Sequence, residues 1–173
     1  AASDVYKRQF ILYQIIMPEL PEVETVKTYV HERVLHKKIK NIKVLDKKLR
    51  WPIDTKKIGN IKSKTIKQVT RRGKYILLQF DESMLTIVIH LGMTGIIYFR
   101  KISEYKKRKH DHLVLYFDEY VLVYNDVRKF GSIHVTDEPS NMFLLRGLGP
   151  EPMSEGFNTC LLYTSDAADD NVG

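Results

Sequence analysis

The sequence predicts an α+β fold that is mainly β: a two-sheet antiparallel β-sandwich flanked by an N-terminal helix and a short C-terminal helix. Two observations support this prediction. About eight segments rich in apolar, β-branched and aromatic residues follow one another, and turn-forming residues separate them. A single segment before them repeats apolar residues at intervals of three and four, which is the period of an amphipathic helix.

The elements are predicted in order along the chain. The first helix is expected at residues 21–35, with Pro21 in its first turn, where the missing N–H costs nothing. Its apolar face would be formed by Leu20, Val23, Val26, Val30 and Val34. A short second helix is expected at residues 140–148, because Gly149 and Pro150 would end it. The strands are expected at residues 39–45, 65–69, 75–80, 85–90, 95–99, 112–117, 121–124 and 132–135.

Composition sets limits on partners and compartment. The length of 173 residues suits one domain. The net charge of +7 and the pI near 9.4 suit a polyanionic partner. The lysines are scattered, however, and an AT-rich coding sequence alone would also enrich them. The single cysteine, Cys160, excludes disulfides and a cysteine zinc site elsewhere in the chain, which fits a reducing, cytoplasmic setting. The apolar run at residues 10–16 is too short to span a membrane, so no membrane association is predicted.

The stretch Met17-Pro18-Glu19-Leu20-Pro21-Glu22-Val23-Glu24-Thr25 carries the chemistry. Removal of an initiator methionine would leave Pro18 as a free secondary amine, a nucleophile toward an aldehyde-like carbon. Because an α-amino group titrates near ~8, a useful fraction would be neutral at physiological pH. The N-terminus of the helix would lower the pKa of this amine further, and Glu19 is close enough to move protons. The same residues also suit a plain helix-entry segment, so the pattern by itself leaves both interpretations open.

This stretch resembles the start of the bacterial formamidopyrimidine-DNA glycosylases, which are base-excision repair enzymes for oxidised purines. The related endonuclease VIII group usually has Pro-Glu-Gly-Pro-Glu here, so Leu20 favours the first family. The resemblance runs from Met17 to Thr159 and implies a two-sheet sandwich with helices. It also implies that Pro18 attacks C1′ of the damaged nucleotide and forms a Schiff base, with Glu19 as the acid/base partner.

The motif Arg71-Arg72-Gly73-Lys74-Tyr75 stands in front of a predicted strand. On composition it could be a solvated basic turn. The resemblance implies instead that Lys74 reaches the lesion site, contacts phosphate and donates a proton during β-elimination. Arg72 would share the phosphate-facing work.

Two glycine-containing loops match parts of the family that hold an extruded nucleotide. In the first, 90–95, the resemblance assigns Met93 to the gap left by the flipped nucleotide, although methionine is more often core filler. In the second, 125–131, the resemblance assigns Arg128 to the position vacated by the flipped base, opposite the base left unpaired. Phe130 would insert beside that unpaired base. The second loop alone would be an ordinary hairpin. The family commonly has Asp-Pro-Arg-Arg-Phe-Gly there, so Val127 and Lys129 depart from its pattern.

The run Lys109-His110-Asp111-His112 contains metal-ligating residue types. Side chains alternate faces along an extended segment, so one short run cannot close a site, and no metal residue is predicted. The resemblance implies that His110 contacts DNA phosphate, whereas a structural role is expected for His112. The family's helix–two-turns–helix and four-cysteine zinc-finger domains have no counterpart in this sequence. One zinc ion is therefore expected only in a part of the full protein beyond this chain, and no cofactor is expected here.

Both ends of the chain carry an unusual signal. One DNA sequence encodes residues 1–9, and its complementary strand encodes the residues that begin at Cys160; it resembles a transposon-type sequencing-library adapter. We therefore expect residues 1–16 and 160–173 to lie outside the natural protein. If residues 1–16 were attached, the nitrogen of Pro18 would be an amide and could not attack. The catalytic domain is expected at residues 17–152 and the start of a linker at 153–159.

The sequence thus predicts a bifunctional DNA glycosylase with AP lyase activity that removes 8-oxoguanine and formamidopyrimidines. It would act as a monomer on damaged double-stranded DNA, and the isolated fragment would be weak or inactive. Two alternatives remain: an endonuclease VIII-like enzyme for oxidised pyrimidines, and a non-catalytic DNA-binding half-domain.

Overall fold

A computed structural model describes residues 18–149 and residue 151. Within them, eight strands form two four-stranded antiparallel sheets, accompanied by two α-helices. The helices are α1 (Leu20–Val34) and α2 (Thr55–Gly59), and 3-10 turns occupy Ile102–Glu104 and Pro139–Asn141. The strands are β1 (Asn41–Val44), β2 (Ile66–Arg72), β3 (Tyr75–Phe80), β4 (Thr86–His90), β5 (Gly95–Lys101), β6 (Asp111–Tyr116), β7 (Tyr120–Asp126) and β8 (Ser132–Thr136).

Sheet topology brings several loops to one end of the sandwich. The first sheet has the order β1-β6-β7-β5 and the second has the order β2-β3-β4-β8. The chain passes from the second sheet to the first between β4 and β5, and returns between β7 and β8. Register places Tyr75 opposite His90, and His90 opposite Ser132, so the β2–β3 turn lies at this same end. We call it the crossover end.

One apolar core joins the two sheets and α1. It contains buried side chains of α1, such as Val30 and Val34, together with Ile76 of β3 and Leu122 of β7. Helix α1 packs against β2. Burial of an aliphatic side chain of this size contributes about 1.5–3 kcal/mol, so this packing holds the N-terminus of α1 beside the second sheet.

The predicted fold class is confirmed, and most element bounds differ from the prediction by a few residues. Strand β3 has the predicted bounds, and the first helix begins one residue earlier than predicted. The short helix α2 was not predicted; the carboxylate of Asp54 caps it by accepting the backbone N–H groups of Lys56 and Lys57, each at 3.0 Å.

The predicted helix at residues 140–148 is wrong as an α-helix. The segment begins with the 3-10 turn Pro139–Asn141 and continues as turns, in which the N–H of Leu145 donates to the carbonyl of Met142. Met142 and Leu145 pack with Leu148 over Leu77 and Val88 on the outer face of the second sheet. Apolar residues three apart suit i,i+3 turns against a flat sheet, and this packing outweighs weak helix propensity.

The predictions for residues 1–17 and for the residues beyond 151 lie outside the described part of the chain. Among the described residues, no helix is long and apolar enough to cross a membrane.

Candidate functional site

The N-terminus of α1 carries the first group of predicted site residues. Pro18 directly precedes Glu19, which is the N-cap of the helix. The N–H of Glu19 donates to Oε2 of Glu22 at 3.0 Å, which fixes the entry of the chain into the helix. Pro18 therefore lies within one turn of the positive end of the helix dipole.

The β2–β3 turn brings Lys74 to this helix start. Gly73 adopts a φ of +55°, a conformation that glycine takes without strain, and the chain reverses so that Lys74 leads into β3. Nζ of Lys74 lies 2.5 Å from Oε2 of Glu19. The structure thus brings Pro18, Glu19 and Lys74 together although more than fifty residues separate the helix start from the turn.

Arg72 has different partners from Lys74. Its guanidinium donates to the carbonyl of Leu148 at 2.8 Å and to Oε1 of Glu151 at 3.1 Å. Because these contacts engage Arg72 within the protein, the structure does not favour its expected phosphate-facing role, which stays a prediction. Lys74 is paired instead with the half-exposed carboxylate of Glu19. Arg71 is engaged similarly, with Nε 2.6 Å from Oε2 of Glu24.

The two carboxylates in this network titrate low. Burial by itself raises the pKa of Glu151, but the N–H of Gly73 and the guanidinium groups of Arg71 and Arg72 outweigh it, so the pKa is lowered from 4.5. Hydrogen bonds from Lys27 and Arg71 likewise lower the pKa of Glu24. Both groups are therefore charged at neutral pH.

The two loops at the crossover end, residues 90–95 and 125–131, present the remaining predicted residues; we call them the first and second crossover loops. Met93 is 37% exposed and Phe130 is 44% exposed, and the guanidinium carbon of Arg128 lies 4.7 Å from the centre of the Phe130 ring. The loops touch through their backbones, since a Cβ atom on Gly92 would lie 2.5 Å from the nitrogen of Gly131. The structure thus places Met93, Arg128 and Phe130 on neighbouring loops at the crossover end.

A buried carboxylate joins these loops. Asp126 is fully buried; its side chain accepts the hydroxyl of Thr94 at 2.6 Å and the N–H of Gly131 at 2.8 Å. The hydroxyl oxygen of Thr94 in turn accepts the N–H of Arg128 at 3.0 Å. Because one side chain holds positions in both loops, they are expected to move as one unit.

The segment of His110 lies beside the same loops. His110 adopts a φ of +69°, and its carbonyl accepts the N–H of Asp126 at 3.0 Å. His112 is buried, with its ring nitrogens 3.0 Å from the carbonyl oxygens of Asp46 and Asp126, as expected for a structural residue. Asp111 is buried and accepts from Tyr98, Tyr105, Asn125 and the backbone of Arg108.

Residues 18–149 and 151 contain no group of three or more His, Cys, Asp or Glu side chains that could hold a metal ion. The zinc implied by the resemblance has no fitting ligand set among these residues, so no chemical step is assigned to it.

Two residues at the crossover end were missed by sequence reasoning. The ring of His90 stacks on Tyr75 with centroids 4.7 Å apart, and burial lowers its pKa, an effect strengthened by the cations of Arg50 and Lys74. The N–H of Arg50 donates to the carbonyl of Gly131 at 3.2 Å. His90 stands in the Met93 motif and could have been noted there, whereas no local pattern singles out Arg50 from the other basic residues.

Lys129, one of the two departures from the family pattern, has a contact that explains its presence. Lys129, at a φ of +61°, places Nζ 2.8 Å from Oδ2 of Asp46. This contact, with the N–H of Lys48, lowers the pKa of Asp46 to about 2. Lys129 therefore ties the second crossover loop to the end of β1. Val127 is 56% exposed, and nothing in the structure explains its replacement of proline.

The fold defines the class as a two-sheet antiparallel β-sandwich domain, and solved structures of a protein bound to DNA share it. A solved complex of Lactococcus lactis Fpg (MutM) with DNA containing N7-benzyl-Fapy-dG matches with a TM-score of 0.76 and 32% identity, covering 86% of this chain and 55% of that chain. A complex of Lactococcus lactis Fpg with DNA containing an abasic site matches with the same TM-score, identity and shares of the two chains.

The family model described as "Formamidopyrimidine-DNA glycosylase N-terminal domain" matches residues 17–133, and the chain belongs to this family. Among its relatives, the formamidopyrimidine-DNA glycosylase of Acinetobacter baylyi is 43% identical over 148 residues, which are 85% of this chain and 53% of that protein. The corresponding protein of Teredinibacter turnerae is 41% identical over 149 residues. The chain spans about half the length of the curated relatives it matches.

Proposed function

We propose that the protein containing this chain is a bifunctional DNA glycosylase and AP lyase that removes oxidised purines, such as 8-oxoguanine and formamidopyrimidines, from double-stranded DNA in the cytoplasm. The observation that carries the proposal is the contact of Lys74 with Glu19 at 2.5 Å, directly beside Pro18 at a helix N-terminus. An amine nucleophile, a carboxylate and an ammonium group are the three groups that Schiff-base chemistry on a deoxyribose needs.

The proposed reaction assigns one task to each group. With Pro18 as the first residue, its nitrogen attacks C1′, the glycosidic bond breaks and the damaged base leaves with a proton. Glu19 moves protons between the sugar and the amine as the ring opens to an iminium ion. The iminium acidifies the C2′ proton, and the Glu19 carboxylate accepts it. A double bond forms between C2′ and C3′ as the bond between C3′ and its phosphate oxygen breaks, and Lys74 supplies a proton to the departing phosphate. In a second elimination, loss of the C4′ proton to water forms a further double bond as the bond between C5′ and its phosphate oxygen breaks.

The crossover loops support a duplex substrate. C1′ is shielded inside an intact stack, so the nucleotide must be extruded before attack. Met93, Arg128 and Phe130 are exposed on two joined loops at the end where Lys74 lies, and apolar side chains of this kind can fill the space of an extruded base. His110, His90 and Arg50 would add cationic or hydrogen-bonding contacts to phosphates at this end.

Two alternatives are less well supported. A non-catalytic DNA-binding domain would gain nothing from a half-exposed carboxylate beside its phosphate-facing lysine, because the negative charge of Glu19 repels phosphate. An enzyme for oxidised pyrimidines has more support, since one of the similar Lactococcus lactis Fpg structures contains DNA with an oxidised pyrimidine. A duplex that contains an oxidised pyrimidine therefore distinguishes this alternative from the proposed function.

Borohydride trapping tests the proposal, because reduction joins the protein to DNA only when an imine forms. The gene product expressed to its own stop codon is compared in two forms, one beginning at Pro18 and one retaining residues 1–17. Each is mixed with a duplex containing 8-oxoguanine opposite cytosine, or dihydrouracil in the same position. We expect trapping only by the form that begins at Pro18, and more of it with 8-oxoguanine.

Each other outcome contradicts a defined part of the proposal. Equal trapping by the form that retains residues 1–17 would mean that another amine is the nucleophile. Preferential trapping on dihydrouracil would favour the oxidised-pyrimidine enzyme. Tight binding without trapping by the form that begins at Pro18 would leave the non-catalytic domain as the better description.

A further inference from the structure

Glu151 makes the most extensive polar contacts with the β2–β3 turn. Its Oε1 accepts the N–H of Gly73 at 2.5 Å and an Arg72 donor at 3.1 Å, while Oε2 accepts a donor of Arg71 at 2.7 Å. Glu151 is 78 residues from Gly73 in sequence, so these contacts bring a distant segment onto the turn. Charge-assisted hydrogen bonds of this kind are shorter and stronger than neutral ones.

The contacts hold Gly73, the residue before Lys74, through both its backbone N–H and its backbone carbonyl. Glu151 accepts the N–H of Gly73, and the carbonyl of Gly73 accepts Nη1 of Arg71 at 2.9 Å. The side chain of Leu148 covers the same residue, because a Cβ atom on Gly73 would lie 3.1 Å from Cδ1 of Leu148. Since Lys74 is the next residue, its backbone position depends directly on the position of Gly73.

The same contacts lead back to the helix that carries the proposed nucleophile. Arg71 reaches Oε2 of Glu24 in the second turn of α1, at 2.6 Å, and Lys74 reaches Glu19 at the start of α1. The β2–β3 turn is therefore joined to α1 at two points, at Glu24 through Arg71 and at Glu19 through Lys74. Glu151 links Arg71 to Gly73 within the turn. The Arg71 side chain is 13% exposed and that of Glu151 is 22% exposed, so solvent weakens these contacts less than those of a surface pair.

We propose that Glu151 is a positioning residue for Lys74: it holds the Gly73 peptide and Arg71 so that the ammonium of Lys74 stays beside Glu19 and Pro18. This inference rests on the proposed function. It predicts a selective effect on strand nicking. The elimination steps use Lys74 as a proton donor, whereas attack by Pro18 and base release do not.

The test compares Glu151→Gln with the unaltered protein, both as the whole gene product beginning at Pro18. Glutamine keeps an oxygen that can accept the N–H of Gly73 but loses the charge that attracts Arg71 and Arg72. In single-turnover assays on 8-oxoguanine duplex, we expect strand nicking to slow by about tenfold, the scale of a small displacement of an acid–base group. Base release and duplex affinity should change by less than about twofold.

A double-mutant cycle separates positioning from general stability. If Glu151 acts through Lys74, Glu151→Gln should slow nicking no further on a Lys74→Met background. A merely structural residue would reduce nicking by the same factor on both backgrounds and would lower base release as well. Glu32→Gln, at an exposed glutamate near the end of α1, is the matched control and should leave both rates unchanged.

The outcomes distinguish this inference from the proposed function. If the unaltered protein fails to trap DNA, the proposed function fails. If it traps and nicks normally but Glu151→Gln leaves nicking unchanged, or slows base release and nicking equally, the positioning role of Glu151 is overturned while the proposed function stands. Circular dichroism and the melting temperature of each variant confirm that the compared proteins are folded.

Discussion

At the scale of single residues, the pair of Lys74 and Glu19 is the informative feature. Both side chains are well exposed, 38% and 50%, and exposed ion pairs of this kind contribute only about 0–1 kcal/mol to stability. The pair is therefore a weak explanation of folding. Its place beside Pro18 is better explained by proton transfer, which needs donor and acceptor groups within hydrogen-bonding distance.

Replacement of Lys74 separates proton transfer from phosphate binding. We expect Lys74→Met to lower the rate of strand nicking by about 10²-fold or more, the usual contribution of a general acid or base. Lys74→Arg should retain most duplex affinity, since it keeps the charge, yet should not restore nicking, because guanidinium does not give up a proton at neutral pH. The rates are measured on a duplex with a preformed abasic site.

A matched lysine on the same strand serves as the control for this experiment. Lys67 is exposed in the first half of β2, away from the crossover end, and Lys67→Met should nick at the unaltered rate. Full nicking by Lys74→Arg would show that Lys74 acts only as a charge.

The sequence singles out individual candidate residues but not the residues they contact. Pro18 and Glu19 follow from a contiguous motif at a helix start, and Lys74, Met93, Arg128 and Phe130 from motifs that each resemble the family. The contact of Glu151 with Gly73 spans 78 residues, and no local pattern reports such a distance. The partners of Arg72 lie in that distant segment as well, so its hydrogen bonds could not be predicted locally either.

At the scale of elements, the crossover loops depend on glycines that leave room for a tyrosine. The hydroxyl of Tyr124 points toward these loops and donates to the carbonyl of His90 at 3.1 Å. A Cβ atom on Gly131 would collide with this hydroxyl and would lie 2.6 Å from the carbonyl oxygen of His90. The loop that carries Phe130 can therefore approach β4 only without a side chain at position 131.

Replacement of Gly131 tests this packing. We expect Gly131→Ala to lower the free energy of unfolding by about 1–3 kcal/mol, the usual cost of overpacking, as measured by urea denaturation. Gly59→Ala is the matched control, because a Cβ atom there meets nothing within 4 Å, and the change should stay within about 0.5 kcal/mol. Adding Tyr124→Phe to Gly131→Ala should recover part of the loss; no recovery would mean that the hydroxyl is not the obstacle.

The bounds of helices and strands were predicted best where the hydrophobic pattern and the flanking turn residues agreed. Strand β3 combines apolar residues with turn residues on both sides, and its bounds were predicted correctly. The segment at residues 140–148 failed because its apolar residues cover the outer face of the second sheet, where flat packing over Val88 decides the conformation. The short helix α2 depends on one aspartate cap, a signal too weak to separate it from a loop.

At the scale of the whole molecule, the topology concentrates the proposed chemistry at one end. Antiparallel pairing places the end of β4 beside the starts of β3 and β8, and the β4–β5 and β7–β8 connections between the sheets lie there. The net charge of +7 is spread over the chain, so charge alone does not locate a DNA-binding face. If DNA binds the described residues at the crossover end, the cations at that end, and not those at the opposite end, should contribute to the salt dependence of binding.

Salt titrations with paired variants test this one-sided organisation. The slope of log K against log salt falls in magnitude by about 0.9 for each phosphate contact that is removed. Arg50, whose N–H contacts the second crossover loop, should show this loss as Arg50→Gln. Lys101 is exposed at the far end of β5 from Gly95, and Lys101→Gln should leave the slope unchanged. Affinities of the whole gene product for one lesion duplex are measured at several salt concentrations; equal slopes for both variants would mean that the duplex is not held at the crossover end through Arg50.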